Sequence, residues 1–265
     1  VDGVDFTAYI QAAVSSGAKL VRLTQSSGLY YFADVSVPAG VTVDLTGCKS
    51  KLKPLGTSIG SGFHGFFKAS GAANITIRGG AFDGNTSAQT PDAPNIDRFA
   101  GLYFVDCSGL TIDGTRWSVA PYGNATIRVR QGSNVRIFRN IVTDKGIYYN
   151  AYSGSQYSVT IDHNNTTGCG ILINDDQAAQ HLYGWSISHN RIRAINTLDE
   201  VGIGGRASDG VTIGSYAVSL TDAGVTVRLP TGRKAQFWRI NVDGTAGAKL
   251  LGNWLAGIPA ELSGA

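Results

Sequence analysis

Four carboxylates in the second half of this 265-residue chain are spaced for acid–base work. Asp144 and Glu200 each stand three residues before an isoleucine, Ile147 and Ile203, and Asp175 and Asp176 fall between them. Two carboxyls held across a bond between sugars can cleave it, at a separation of ~5 Å for retention or ~6.5–9.5 Å for inversion. A second set of residues has the chemistry of sugar recognition. Tyr103, Arg128 and Tyr148 recur at equivalent positions, and so do Arg130, Asn150, Asn174 and Arg206. Aromatic rings cover the apolar faces of pyranoses, while guanidinium and amide groups bond hydroxyls and carboxylates.

What must position these residues is a repeat. Strand-like segments begin at Leu110, Val135, Val159, Trp185 and Val211, 24 to 26 residues apart. Their apolar residues alternate, as in Val135 and Ile137 or Val159 and Ile161, which is the signature of a strand with one buried face. A second strand lies upstream of most of these, at 101–105, 126–130, 146–150, 170–174 and 202–206. Each repeat therefore reads as strand, turn, strand, longer turn. No repeat buries its apolar face alone, so the repeats must stack. The expected fold is an all-β, right-handed parallel β-helix of about seven rungs.

Stacking turns sequence positions into columns at ~4.8 Å spacing. Leu102, Ile127, Ile147, Ile171 and Ile203 are the expected inward column. Tyr103, Arg128, Tyr148 and Leu172 form one outward column, and Val105, Arg130, Asn150, Asn174 and Arg206 the next, with Asp106, Asp175 and Asp176 beside it. Two rungs put Asp144 and Glu200 ~9.6 Å apart, with Asp175 on the rung between. Asn140, Asn164 and Asn190 each stand five residues after the start of their strand motif. That register suits an amide ladder, each side chain bonding to the next rung. His163 and His189 share the preceding column and are expected in turn hydrogen bonds, since a third metal ligand is lacking.

Composition agrees with this and removes other classes. The chain holds 35 glycines without a collagen period, so they serve turns. Only 15% of residues are charged and the net charge is +3, which gives no ground for nucleic-acid binding. No apolar run approaches the ~18 residues of a membrane span. Cys48, Cys107 and Cys169 cannot all pair and read as buried free thiols. No cofactor or metal is implied. Val1 begins a chain without methionine, so it is expected to be processed or excised from a longer protein.

An open solenoid needs caps. Asp5 is placed to N-cap a helix carrying Phe6, Tyr9, Ile10, Ala13 and Val14 on one face. Residues 1–32 are read as the N-terminal cap, 33–214 as the β-helix, and 215–265 as a β-rich C-terminal cap or trimerisation region. In the last, antiparallel strands are expected at 216–220, 224–229 and 236–242. Residues 84–98 are a polar insertion between rungs, expected to overhang the helix.

The opening residues carry a family resemblance. "DFTAYIQAAV", then Gly28-Leu29-Tyr30, then Val35-Ser36-Val37-Pro38-Ala39-Gly40-Val41 resembles the start of pectate-lyase-like β-helices, a capping helix followed by a Gly-x-Tyr turn and a first rung. The rungs to about residue 214 fit the same pattern. Within that superfamily the chain is most similar to bacteriophage tail spikes. The resemblance implies an extracellular, virion-borne homotrimer, joined through upstream residues to other tail proteins, that binds and depolymerises a bacterial surface polysaccharide. A non-enzymatic virion β-helix and a secreted cellular lyase or hydrolase of pectin-type polymers are the alternatives. The galacturonase set of N-T-D, D-D and G-H-G is absent, with only "INDD" at 173–176 as a fragment.

Overall fold

A computed structural model describes residues 4–24, 28–55, 62–89, 98–123, 125–151, 156–167 and 170–175, and beyond these only strand segments between 182 and 256. The chain is a right-handed parallel β-helix. Apart from a two-stranded pair, Gln156–Tyr157 with Leu182–Tyr183, its strands fall into three parallel sheets, where two strands per rung were expected. The first sheet runs through Leu20–Arg22, Thr42–Asp44, Thr76–Arg78, Thr111–Asp113, Val135–Phe138, Val159–Asp162, Trp185–Ser188 and Val211–Ile213. The third contains Val35–Ser36, Phe67–Ser70, Ala100–Val105, Ala125–Arg130, Ile147–Ala151, Ile171–Asp175 and Ile203–Gly204. Between them, starting two or three residues after the first-sheet strand from Thr76–Arg78 onward, lies the second sheet. It includes Ala81–Asp83, Arg116–Val119, Ile141–Thr143, Asn165–Thr167 and Asn190–Arg193. Its strands are short and follow a tight turn, so in sequence they merge with the strand before them.

The asparagine column is the joint between these two sheets. Thr115 Oγ1 donates to Asn140 Oδ1 at 2.8 Å, Asn140 Nδ2 to Asn164 Oδ1 at 2.9 Å, and Asn164 Nδ2 to Asn190 Oδ1 at 2.9 Å. Inside, the first sheet contributes Val43, Ile77, Ile112, Ile137 and Ile161, all at zero exposure. The third contributes Leu102, Ile127, Ile147 and Ile171 in register, as expected, and Ile203 pairs next in the column. Burying each such side chain is worth ~2 kcal/mol. The second sheet stacks Phe82 on Trp117 across adjacent rungs, with ring centres 4.6 Å apart.

The helix Thr7–Val14 closes one end with Ile10 and Val14. Tyr9 is 72% exposed and lies off the buried face, contrary to expectation. The helix begins after Phe6, and Asp5 caps it from one residue further back, its Oδ1 accepting the Thr7 N–H at 2.9 Å. Gln11 then does what a neighbouring strand would do. Its amide accepts from Ser36 N at 2.8 Å and donates to Ser36 O at 2.9 Å, covering the edge of the third sheet.

Tyr216–Ser219 corrects the reading of the C-terminal end. It pairs parallel with Asn190–Arg193 and so extends the second sheet. The strands expected at 224–229 and 236–242 lie outside the described residues. Thr86–Ala88 forms a 3-10 turn tied to other rungs, since Asn85 donates to Leu52 O and Gln89 accepts from Leu55 N. This part of the insertion therefore lies along the stack, not beyond it. Cys48 and Cys107 are buried free thiols, as expected, and Cys169 lies outside the described residues.

Candidate functional site

The outward face of the third sheet holds the expected columns in the expected register. Tyr103 pairs with Arg128, Arg128 with Tyr148, and Tyr148 with Leu172. Val105, Arg130, Asn150 and Asn174 align beside them. Outward from a strand is not the same as open to solvent, however. Tyr103 is 1% exposed because Phe63, from the segment before Phe67–Ser70, stacks on its ring at 4.4 Å. Arg128 is 7% exposed. Its guanidinium lies between two rings, 5.4 Å from the centre of Tyr103 and 4.9 Å from that of Tyr148. Such contacts are worth ~2 kcal/mol where water is excluded. Asn150 is also buried, and accepts from Arg128 Nη2 at 3.3 Å. The half-buried members of the group are Tyr148 and Arg130. The broad open face expected from alternation is thus a narrow one, with a rigid network beneath it.

The expected carboxylate cluster is not assembled from the residues that can be placed. Asp144 is exposed, in a left-handed turn at φ 65°, before the strand Ile147–Ala151. Asp175 ends its own strand in register with Ala151. The four residue steps from Ile147 to Ala151 alone span ~13 Å, so Asp144 and Asp175 sit at opposite ends of the strands. That exceeds the reach of a two-carboxyl mechanism. The expectation that Asp175 lies close to the Asp144 column fails because column position fixes the rung and not the place along the strand. Asp176, Glu200 and Arg206 lie outside the described residues. Asn174 belongs to the strand Ile171–Asp175.

The column also runs two rungs further than expected. Lys68 pairs with Tyr103 and Ser36 with Lys68. Beside Lys68, Asp34 occupies a left-handed turn at φ 57°. Its carboxylate accepts from His64 Nδ1 at 2.7 Å and Gly65 N at 3.1 Å, with Lys68 Nζ at 3.5 Å. A carboxylate only accepts, so the imidazole proton sits on Nδ1. These residues escape the repeat because Lys68 and Tyr103 are 35 positions apart, whereas Tyr103 and Arg128 are 25 apart. On the first sheet, an in-register outward column reads Arg22, Asp44, Arg78 and Asp113, with Arg139 forking onto Asp113 at 2.8 and 2.6 Å. His163 pairs with Asp162 at 2.8 Å, and His189 lies outside the described residues. Among the described residues no cluster of side chains is arranged to hold a metal ion.

No family model matches the sequence, and no curated relative is found. Two solved structures are similar in form. One is a candidate glycosyl hydrolase from Parabacteroides merdae, 17% identical, with a TM-score of 0.47, over 82% of this chain and 92% of that one. The other is a polygalacturonase from Erwinia carotovora, 16% identical, with a TM-score of 0.44, over 86% of this chain and 95% of that one. At this level the likeness transfers no residue and no substrate.

Proposed function

We propose that this chain is the glycan-recognising β-helix of an extracellular, tail-spike-like protein and binds an acidic bacterial surface polysaccharide along its third sheet. The observation that carries the reading is the pair Tyr148 and Arg130 on adjacent rungs, with the Tyr148 ring and the Asn150 amide held in place by the buried Arg128. An aromatic ring and a guanidinium on adjacent rungs meet one apolar sugar face and its carboxylate together. The ring of Tyr148, packed on Arg128, is held in one place, which reduces the entropy lost on binding a flexible polymer.

Affinity electrophoresis against capsular polysaccharides tests this, comparing each acidic polymer with its carboxyl-reduced form. Binding is expected for the acidic form only, weakening with salt and falling at least tenfold in Arg130→Ala. Equal binding of both forms would overturn the assignment. The spike-like assembly predicts a trimer by light scattering, and a monomer would sink that part.

A further inference from the structure

The first sheet carries a charged group of its own. Arg78, Asp113 and Phe138 stand in register on three successive rungs, ~4.8 Å apart. Arg136 lies on the Phe138 rung, in register with Thr111, and Arg139 is in the turn that follows. Asp113 is sunk in the sheet, its side chain 8% exposed, and one of its oxygens faces two arginines. Arg139 Nη2 reaches Oδ2 at 2.6 Å, and Arg78 Nε approaches the same atom at 3.9 Å. The ring of Phe138 ties in the third arginine. The guanidiniums of Arg139 and Arg136 lie 4.6 and 5.0 Å from its centre. Arg136 has no carboxylate partner among the described residues. Asp162, next in the column beyond Phe138, meets His163 Nδ1 at 2.8 Å.

Three guanidiniums are thus gathered over one buried carboxylate, and the side of the group that faces water is cationic. The side chains of Arg78 and Arg139 are more than half exposed, and Arg136 is exposed as well. Arg139 also carries a backbone cost. It holds φ 57° at a corner where the two preceding rungs place Gly79 and Gly114. A residue with a Cβ costs ~1 kcal/mol there. Further down the same column, Arg22 on Asp44 at 3.2 Å is the plain arrangement, one guanidinium on one carboxylate.

We propose that Arg78, Arg136 and Arg139 bind a phosphate monoester. A carboxylate has two oxygens in one plane, and Asp113 already occupies the fork of Arg139 through Nε and Nη2. The donors left over belong to three guanidiniums anchored at different points. A tetrahedral group with three strong acceptor oxygens and close to two charges answers such a set. The carboxylate below and the ring beside hold the guanidiniums before the ligand arrives, which lowers the ordering cost of binding. The site is on the first sheet and does not rest on the acidic-glycan reading of the third.

The test titrates the whole chain with inorganic phosphate, with glucose 6-phosphate, and with phosphatidylcholine vesicles with and without phosphatidic acid. These present the group free, on a sugar and on a lipid, and the tightest of the three names the carrier. Calorimetry reads the affinity, and the arginine Nε–H resonances read the place. Saturable binding is expected, with shifts at Arg78, Arg136 and Arg139. Affinity should fall at least ~10-fold in Arg136→Ala. Arg139→Gly, which suits the left-handed corner, should weaken binding as well. Arg22→Ala should bind as the native chain does, and circular dichroism confirms that each variant folds. Glucose 6-sulfate, with one charge fewer, should bind at least ~10-fold more weakly, and phosphate affinity should rise as pH passes ~6. No saturable binding to any of the three probes would overturn the site, as would equal losses in Arg22→Ala and Arg136→Ala. Equal affinity for sulfate and phosphate esters, or an affinity independent of pH, would overturn the monoester assignment.

Discussion

Asn140 and Asn164, 24 residues apart, are joined side chain to side chain, and Asn164 Oδ1 also takes the Asn140 backbone N–H at 3.0 Å. Asn164 Nδ2 in turn donates to Ile137 O at 2.9 Å. One buried amide thus satisfies two backbone groups of the preceding rung at the corner between sheets. Asn164→Ala leaves these groups without partners, at ~1–3 kcal/mol each, so a loss of about 3 kcal/mol is expected. Asn165→Ala, which keeps the ladder, should cost under ~0.5 kcal/mol. Urea midpoints at constant slope measure both. Equal losses would show that the ladder is incidental.

Gly146 makes a second prediction about rung contact. A Cβ at this position would lie 2.0 Å from Gly170 O and 3.1 Å from Gly170 C, both backbone atoms. The rungs must part to admit it, at ~1–3 kcal/mol or more. Gly114 has φ +69° and nothing within 4 Å, so its substitution costs only the left-handed backbone term, ~1 kcal/mol. Thermal unfolding of Gly146→Ala and Gly114→Ala should rank in that order.

The difference between these glycines explains what the sequence could disclose. Gly146 and Gly170 stand before Ile147 and Ile171, and that pairing marks the rung register. The apolar alternation and the asparagine spacing carried the inward column and the corner in the same way. The second sheet stayed hidden because strands such as Ile141–Thr143 are three residues long, too short for a period to show. The site was legible as columns and not as a surface. Nothing in the spacing says that Phe63 folds over Tyr103, since that contact comes from a segment with no period. The Asp34–His64 pair is hidden for the same reason.

The cap is expected to loosen in acid. Asp5 Oδ2 accepts from Lys53 Nζ at 2.5 Å. The bond from Lys53, followed by those from Thr7, lowers the Asp5 carboxyl to about 2. A depressed carboxyl contributes stability above its unfolded value of ~3.9 and loses it as pH falls toward 2. Both side chains are over two-fifths exposed, so solvent screens the pair and the contribution stays under ~1 kcal/mol. Hydrogen exchange of helix amides should accelerate between about pH 4 and pH 2 in the native chain. Asp5→Asn should remove that dependence, and an unchanged profile in the variant would contradict the assignment.

At the alkaline end Tyr149 is one of the buried groups that must stay protonated, with the thiols of Cys48 and Cys107. It is wholly buried, and its hydroxyl donates to Gly132 O at 2.7 Å. Burial, with a smaller effect from the Cys107 thiol nearby, pushes its ionisation far above the usual phenol range. The unfolded chain ionises this phenol near ~10. The protonated form is therefore required by the fold, and its contribution is complete below ~10 and lost as pH rises further. Tyr149→Phe should cost ~1 kcal/mol at neutral pH by stripping Gly132 O of its donor. It should also flatten the fall in stability above about pH 10. Urea unfolding on both sides of that value separates the two effects. A variant that keeps the native alkaline slope would place the titrating group elsewhere.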